Sequence, residues 1–72
     1  MNAAQKTMFT KGQAHFASGK SCTPFDCQAV DAALFVEMKS MPNQAAYYNL
    51  MRGAFNKGWC AAHAESFFLA AA

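Results

Sequence analysis

The sequence predicts an all-α protein, a compact bundle of three or four helices. Apolar side chains recur at helical spacing in three segments, and no segment of useful length alternates apolar and polar residues as a strand would. Gly19 and the Pro42 region separate these segments. A chain of 72 residues makes a single small domain. The predicted helices cover residues 3–18, 24–40 and 43–69.

The first predicted helix contains a glycine on its apolar face. Gly12 costs about 1 kcal/mol relative to alanine in a helix interior, so we expect another backbone to approach it closely. Gly19 adopts a left-handed conformation easily and should end the helix. The apolar face consists of Met8, Phe9, Gly12 and Phe16.

The second predicted helix has a clear start signal at Thr23–Asp26, which offers a capping hydroxyl, a proline at the first helical position and an acid near the positive helix end. Asp31 and Glu37 fall outside its apolar stripe, whereas Phe35 adds apolar surface on another side. A helix apolar on more than one side is expected to be central or to contact a partner. The stripe itself comprises Cys27, Val30, Leu34, Met38 and Met41.

The third predicted helix gives the strongest periodic signal in the chain. Gly53 and Gly58 leave open whether it is one long helix or two helices broken near residues 56–58. We expect Phe55 to be in the core and at least one of Tyr47 and Tyr48 to be partly exposed. The apolar stripe is formed by Tyr48, Met51, Phe55, Trp59 and Ala62.

The composition indicates a protein that binds another molecule. A chain this short gains only about 3–5 kcal/mol from its core, yet 54% of its residues are apolar and 14% are charged. Three short helices cannot easily bury that much apolar surface, which predicts an exposed docking patch or a homodimer. There is no secretory signal pattern or apolar run long enough for a membrane span, and the three cysteines suit a reduced, cytoplasmic protein.

The cysteines and one histidine form a candidate zinc set. Cys22 and Cys27 are separated by four residues, and Cys60 and His63 would lie one helical turn apart. Four such ligands suit tetrahedral zinc, which would stabilise a small core. The alternative is that the cysteines are small buried apolar residues and that the protein has no cofactor.

Catalysis is not predicted from these residues. His15 has no acid in its own segment, and Cys60 with His63 lacks both an evident orienting acid and a suitable geometry for a nucleophile and its base. We therefore expect a protein that is not an enzyme.

Two surfaces are candidates for macromolecular contact. Tyrosine, tryptophan and arginine dominate protein-binding hot spots, which favours a docking surface on the third helix, although a core role or an inert solvated face would also explain such a stripe. The net charge of +2 permits nucleic-acid contact without requiring it. The protein-docking set is Tyr47, Tyr48, Arg52, Lys57 and Trp59, and the RNA-contacting set is Lys6, Lys11, Lys20 and Arg52, with Lys57 also on the basic flank.

Two glycine-bearing segments, Gly12–Ser21 and Asn49–Trp59, flank the turn Thr23-Pro24-Phe25. This order resembles the ribosome modulation factor family. The resemblance implies a small helical protein that docks on the ribosome and suppresses translation. The chain departs from that family by an inserted helix at Asp26–Met41, by few basic residues, and by Thr23 before the proline.

The sequence therefore predicts a non-enzymatic interaction protein that modulates or inhibits a larger assembly, in the manner of small inhibitors from phages and mobile elements. The alternatives are a ribosome-associated or RNA-contacting translation regulator and a small structural zinc module.

Overall fold

The computed structural model describes residues 1–22 and 28–71, with side chains as far as Leu69. Three α-helices are present in this part of the chain: α1 at Ala3–Ala17, α2 at Gln28–Met38 and α3 at Gln44–Ala71. The all-α prediction is confirmed. The third helix continues without a break through residues 56–58, which answers the question that its glycines left open. The predicted start signal at Thr23–Asp26 lies outside the described residues.

The longest helix, α3, is the centre of the fold. The Phe9 carbonyl lies against Gly58, and farther along both helices the ring centres of Phe16 and His63 are 5.6 Å apart. Since both contacts advance in the same direction along the chain, α1 runs parallel to α3. On another side of α3, Asp31 pairs with Arg52 while Glu37, farther along α2, accepts a hydrogen bond from Tyr47; α2 is therefore antiparallel to α3. The two shorter helices thus use α3 as a common support.

The α1–α3 crossing brings the two backbones into direct contact at two glycines. A methyl group on Gly12 would lie 2.9 Å from the Trp59 backbone nitrogen and closer still to the Phe55 carbonyl oxygen. A methyl group on Gly58 would overlap the Phe9 carbonyl. The expected close approach at Gly12 is confirmed, and Gly58 is explained by packing because only a residue without a side chain fits there.

The predicted apolar stripes are buried or partly buried at all their described positions, whereas Cys27 of the second stripe lies outside the described residues. Phe55 and Leu34 are almost fully buried, at 0% and 1% exposure, and Val30, Tyr47 and Tyr48 pack partly buried around them. Burial of large apolar side chains of this kind is the main favourable term in folding. The buried apolar residues are Met8, Leu34, Met51, Ala54 and Phe55.

Both ends of α1 are capped by their own sequence. The Asn2 side chain accepts the Gln5 backbone N–H while the Gln5 side chain accepts that of Asn2, each at 2.8 Å. At the other end Gly19 has φ +81°. Its N–H donates to the Phe16 carbonyl at 2.9 Å, and the Lys20 N–H donates to the His15 carbonyl at 3.2 Å. This is a Schellman motif, and it confirms Gly19 as the stop signal.

Candidate functional site

A polar cluster between α2 and α3 centres on Arg52, which is only 7% exposed. Its Nη1 lies 3.9 Å from Oδ1 of Asp31, and its Nη2 donates to the Cys22 carbonyl. The guanidinium carbon lies 4.7 Å from the centre of the Phe55 ring, and the Tyr48 hydroxyl donates to Asp31 at 3.3 Å. Arg52 thus connects α2 and the segment after α1 to α3 through the ion pair and the Nη2 hydrogen bond. Its Nη1 is buried with no hydrogen-bond partner among the described residues.

The burial of Asp31 corrects the sequence analysis. Asp31 was placed outside the apolar stripe of its helix, but it is only 8% exposed. A spacing signal could have found it: Asp31 lies one turn before Leu34, and Arg52 lies one turn before Phe55. Each charge therefore shares a face with a fully buried residue, and opposite charges in that position are expected to pair.

Trp59, predicted to contact a partner, makes several contacts within its own chain. Its Nε1–H donates to the Lys20 carbonyl at 2.8 Å. Its ring meets the Phe16 ring edge-on, with 5.3 Å between ring centres, and stacks on the His63 ring, with 5.2 Å between ring centres. The hydrogen bonds from Trp59 and Arg52 thus hold the segment after α1 against α3. The side chain remains half-buried.

The two tyrosines of the predicted docking set attach α2. The Tyr47 hydroxyl donates to Oε2 of Glu37 at 2.8 Å, and this hydrogen bond to a carboxylate, with smaller contributions from burial and charge repulsion, raises the pKa of Tyr47. Tyr48 is stacked on Phe35 at 5.7 Å. Both are half-buried, as expected for at least one of them, whereas Lys57 is exposed.

The predicted RNA-contacting residues do not gather on one face. Lys6, Lys11 and Lys20 are all exposed, whereas Arg52 is buried in its cluster. Two residues five positions apart on a helix differ in direction by about 140°, so Lys6 and Lys11 point in different directions.

The described residues of the predicted zinc set do not form a three-ligand site. Cys22 is half-buried, Cys60 is exposed, and both are free thiols. Within residues 1–22 and 28–71, no three His, Cys, Asp or Glu side chains lie close enough to hold a metal ion, so Cys22, Cys60 and His63 do not form three ligands of one site. Cys27 lies outside the described residues. The zinc hypothesis thus stays a prediction, without support from these three ligands.

The two histidines considered as general bases are packed against aromatic rings. The His15 ring meets Phe55 edge-on at 5.2 Å, and its Nε2 is buried without a hydrogen-bond partner among the described residues. His63 stacks on Trp59 next to the exposed Cys60. These contacts fix the rings by packing, and they supply neither histidine with an orienting carboxylate.

Among the described residues, large apolar side chains are exposed on α2 and at the end of α3. On α2, Val36 is 68% exposed and Phe35 is half exposed. At the end of α3, Phe67, Phe68 and Leu69 are each about 70% exposed. No described helix combines the length and the apolar character needed to cross a lipid bilayer. Contiguous exposed apolar groups are candidates for contact surfaces.

No family model, curated protein or solved structure matches this chain. The resemblance to the ribosome modulation factor family therefore stays a prediction based on its short motifs.

Proposed function

We propose that this protein is a non-enzymatic interaction protein that docks on a larger protein assembly through α2 and thereby modulates or inhibits it. The observation that carries the proposal is that α2 is apolar on both sides. Its inner side packs Val30 and Leu34 against α3. Its opposite side, named here the α2 outer face, consists of Ala29, Ala32, Ala33 and Val36, with Phe35 on its flank, and all of them are exposed.

The α2 outer face carries no charge. Ala29, Ala32, Ala33 and Val36 follow the spacing of one helix face. The acidic residues of α2 lie elsewhere, because Asp31 is buried beside Arg52 and Glu37 bonds to Tyr47. A surface helix normally turns polar residues toward water, so a helix that is apolar all round is typical of one that is enclosed.

The chemistry of this face suits a protein partner. Its alanines would let a helix or strand approach closely, and the larger Val36 and Phe35 would fill pockets at the centre of the contact. Contact with phosphates would require basic side chains, and the α2 outer face has none. We therefore favour a partner with an apolar groove over a nucleic acid.

The test is a pull-down from the lysate of the native host, with and without nuclease, using the wild type and Val36→Asp. The wild type should recover one assembly, in the same amount after nuclease treatment and at moderate salt. Val36→Asp should reduce the affinity of the purified pair about tenfold or more, since a carboxylate would be buried in the contact.

The matched control is Ala4→Asp, which places the same carboxylate at an exposed position in the first turn of α1. It should bind as the wild type does, and both variants should retain the helical circular dichroism spectrum. Loss of the assembly on nuclease treatment would favour the RNA alternative, and full binding by Val36→Asp would refute docking through α2.

A further inference from the structure

We propose that two copies of this chain form a symmetric dimer in which their α3 helices pack antiparallel and Phe68 of each copy enters a recess at Gly53 of the other. This inference uses a different surface from the proposed function and goes beyond it. The surface, named here the α3 outer face, lies opposite the side of α3 that is buried in the core. It comprises Leu50, Gly53, Lys57, Ala61, Ala64 and Phe68.

The α3 outer face has the pattern of a helix-pairing surface. Its residues are separated by three or four positions, which is the spacing that keeps one helix face against another. Phe68 is 72% exposed and Leu50 is 48% exposed, so the two large apolar residues at its ends are open to water. The positions between them are small except for Lys57, and a methyl group on Gly53 would have no neighbour within 4 Å. A second helix can therefore approach closely.

The recess beside Gly53 is large enough for an aromatic ring. It has a volume of about 200 Å³ and lies between the start of α1 and the α3 outer face. An apolar cavity of roughly 150 Å³ is enough to hold benzene. Its walls include the flexible side chain of Met1, which can adapt to an inserted ring. The walls that matter here are Met1, Gln5, Leu50, Gly53, Ala54 and Lys57.

The charges favour a second copy as the occupant. In an antiparallel pair, the residues that precede Phe68 on one helix face the residues that follow Gly53 on the other. Glu65 precedes Phe68 by three positions, and Lys57 follows Ala54 by three and Gly53 by four. Seating Phe68 in the recess therefore brings Glu65 opposite Lys57 of the second copy. Both side chains are exposed, and the ion pair found within the described residues, Arg52 with Asp31, involves neither.

Symmetry doubles each of these contacts. The ring and the recess lie on the same face of the same helix, whereas Glu65 lies about 80° around the helix from Lys57, at the edge of that face. A two-fold axis forms the ring contact and the charge contact twice each. A partner with another sequence would have to reproduce this order of groups. The geometry thus points to self-association.

The test measures self-association by sedimentation velocity across a concentration series. The variants Lys57→Glu and Glu65→Lys should each weaken the dimer about tenfold or more, because two attractive pairs become repulsive. A mixture of the two variants should regain affinity as a heterodimer, since every new carboxylate then faces a new ammonium group. Mere structural damage would not be repaired by mixing.

Two further variants separate this surface from α2. Phe68→Asp should abolish the dimer, and Val36→Asp should leave it intact; all variants should keep the helical spectrum of the wild type. A wild type that stays monomeric up to its solubility limit, a mixture of charge variants that does not pair, or a dimer that is lost with Val36→Asp would each overturn the proposal. None of these results would by itself refute docking of a larger assembly, which is measured on the pulled-down partner.

Discussion

The two helices that pack on α3 are held in different ways. The contact of α1 is backbone against backbone at Gly12 and Gly58, where there is no room for a methyl group. The contact of α2 is made by side chains, through Leu34 in the core and the Asp31–Arg52 cluster, and it leaves the α2 outer face in water. The two helices therefore have different roles. Close backbone packing fixes α1 on α3, whereas α2 presents an exposed apolar surface.

The largest effect should come from breaking the α1–α3 contact. Gly58→Val would force the Phe9 backbone away and separate the helices along their length. We expect a loss of about 4 kcal/mol or more in the free energy of unfolding, comparable with the whole core contribution of so small a domain. Urea denaturation followed by circular dichroism would measure it.

Gly53→Ala is the matched control for that variant. Gly53 lies in the same helix, but a methyl group there meets nothing. The variant should gain about 0.5–1 kcal/mol from helix propensity when measured at low protein concentration. Equal destabilisation by both variants would contradict the assignment of the Gly58 effect to the close crossing with α1.

A smaller loss should follow from breaking the polar attachment of α2. Arg52→Met leaves Asp31 buried without its cation and the Cys22 carbonyl without its donor. We expect destabilisation of about 3 kcal/mol in urea denaturation. Adding Asp31→Leu should recover part of that loss, because an apolar pair of similar volume replaces a half-removed ion pair. No recovery in the double variant would mean that the two side chains are not coupled.

The smallest effect should appear at alkaline pH through Tyr47. Its pKa is raised because the neutral hydroxyl donates to Glu37. The stabilisation is therefore complete below the ordinary tyrosine pKa of about 10 and is lost as the pH rises through the higher folded value. Tyr47→Phe should be less stable than the wild type at pH 8, and the difference should shrink at high pH. A difference that stays constant with pH would contradict this assignment.

The periodic features of this fold could be predicted from the sequence. The described positions of the apolar stripes were predicted correctly because core burial selects one face of a helix, as Met51 and Phe55 show. Gly19 was recognised as a stop because few residues adopt positive φ easily. Gly12 was recognised as a close approach because its cost in a helix needs a compensating contact.

The roles of the polar and aromatic residues could not be predicted in the same way. Arg52 and Trp59 have the composition of a binding hot spot, but they donate to the carbonyls of Cys22 and Lys20. A sequence shows which groups can donate, and only the folded path of the segment after α1 shows which acceptors come within reach. The unbroken course of α3 through Gly58 likewise depends on a partner helix that is distant in sequence.

The parallel course of α1 and α3 has a consequence for how fast the protein folds. The backbone contact at Gly12 joins opposite halves of the chain, so a long loop must close before Gly12 can meet Phe55. Bundles whose neighbouring helices are consecutive gain their contacts locally and fold within microseconds to milliseconds. In this chain α1 packs on α3, which is not its neighbour in sequence, so we expect the slowest folding step to be the docking of the first helix on the last.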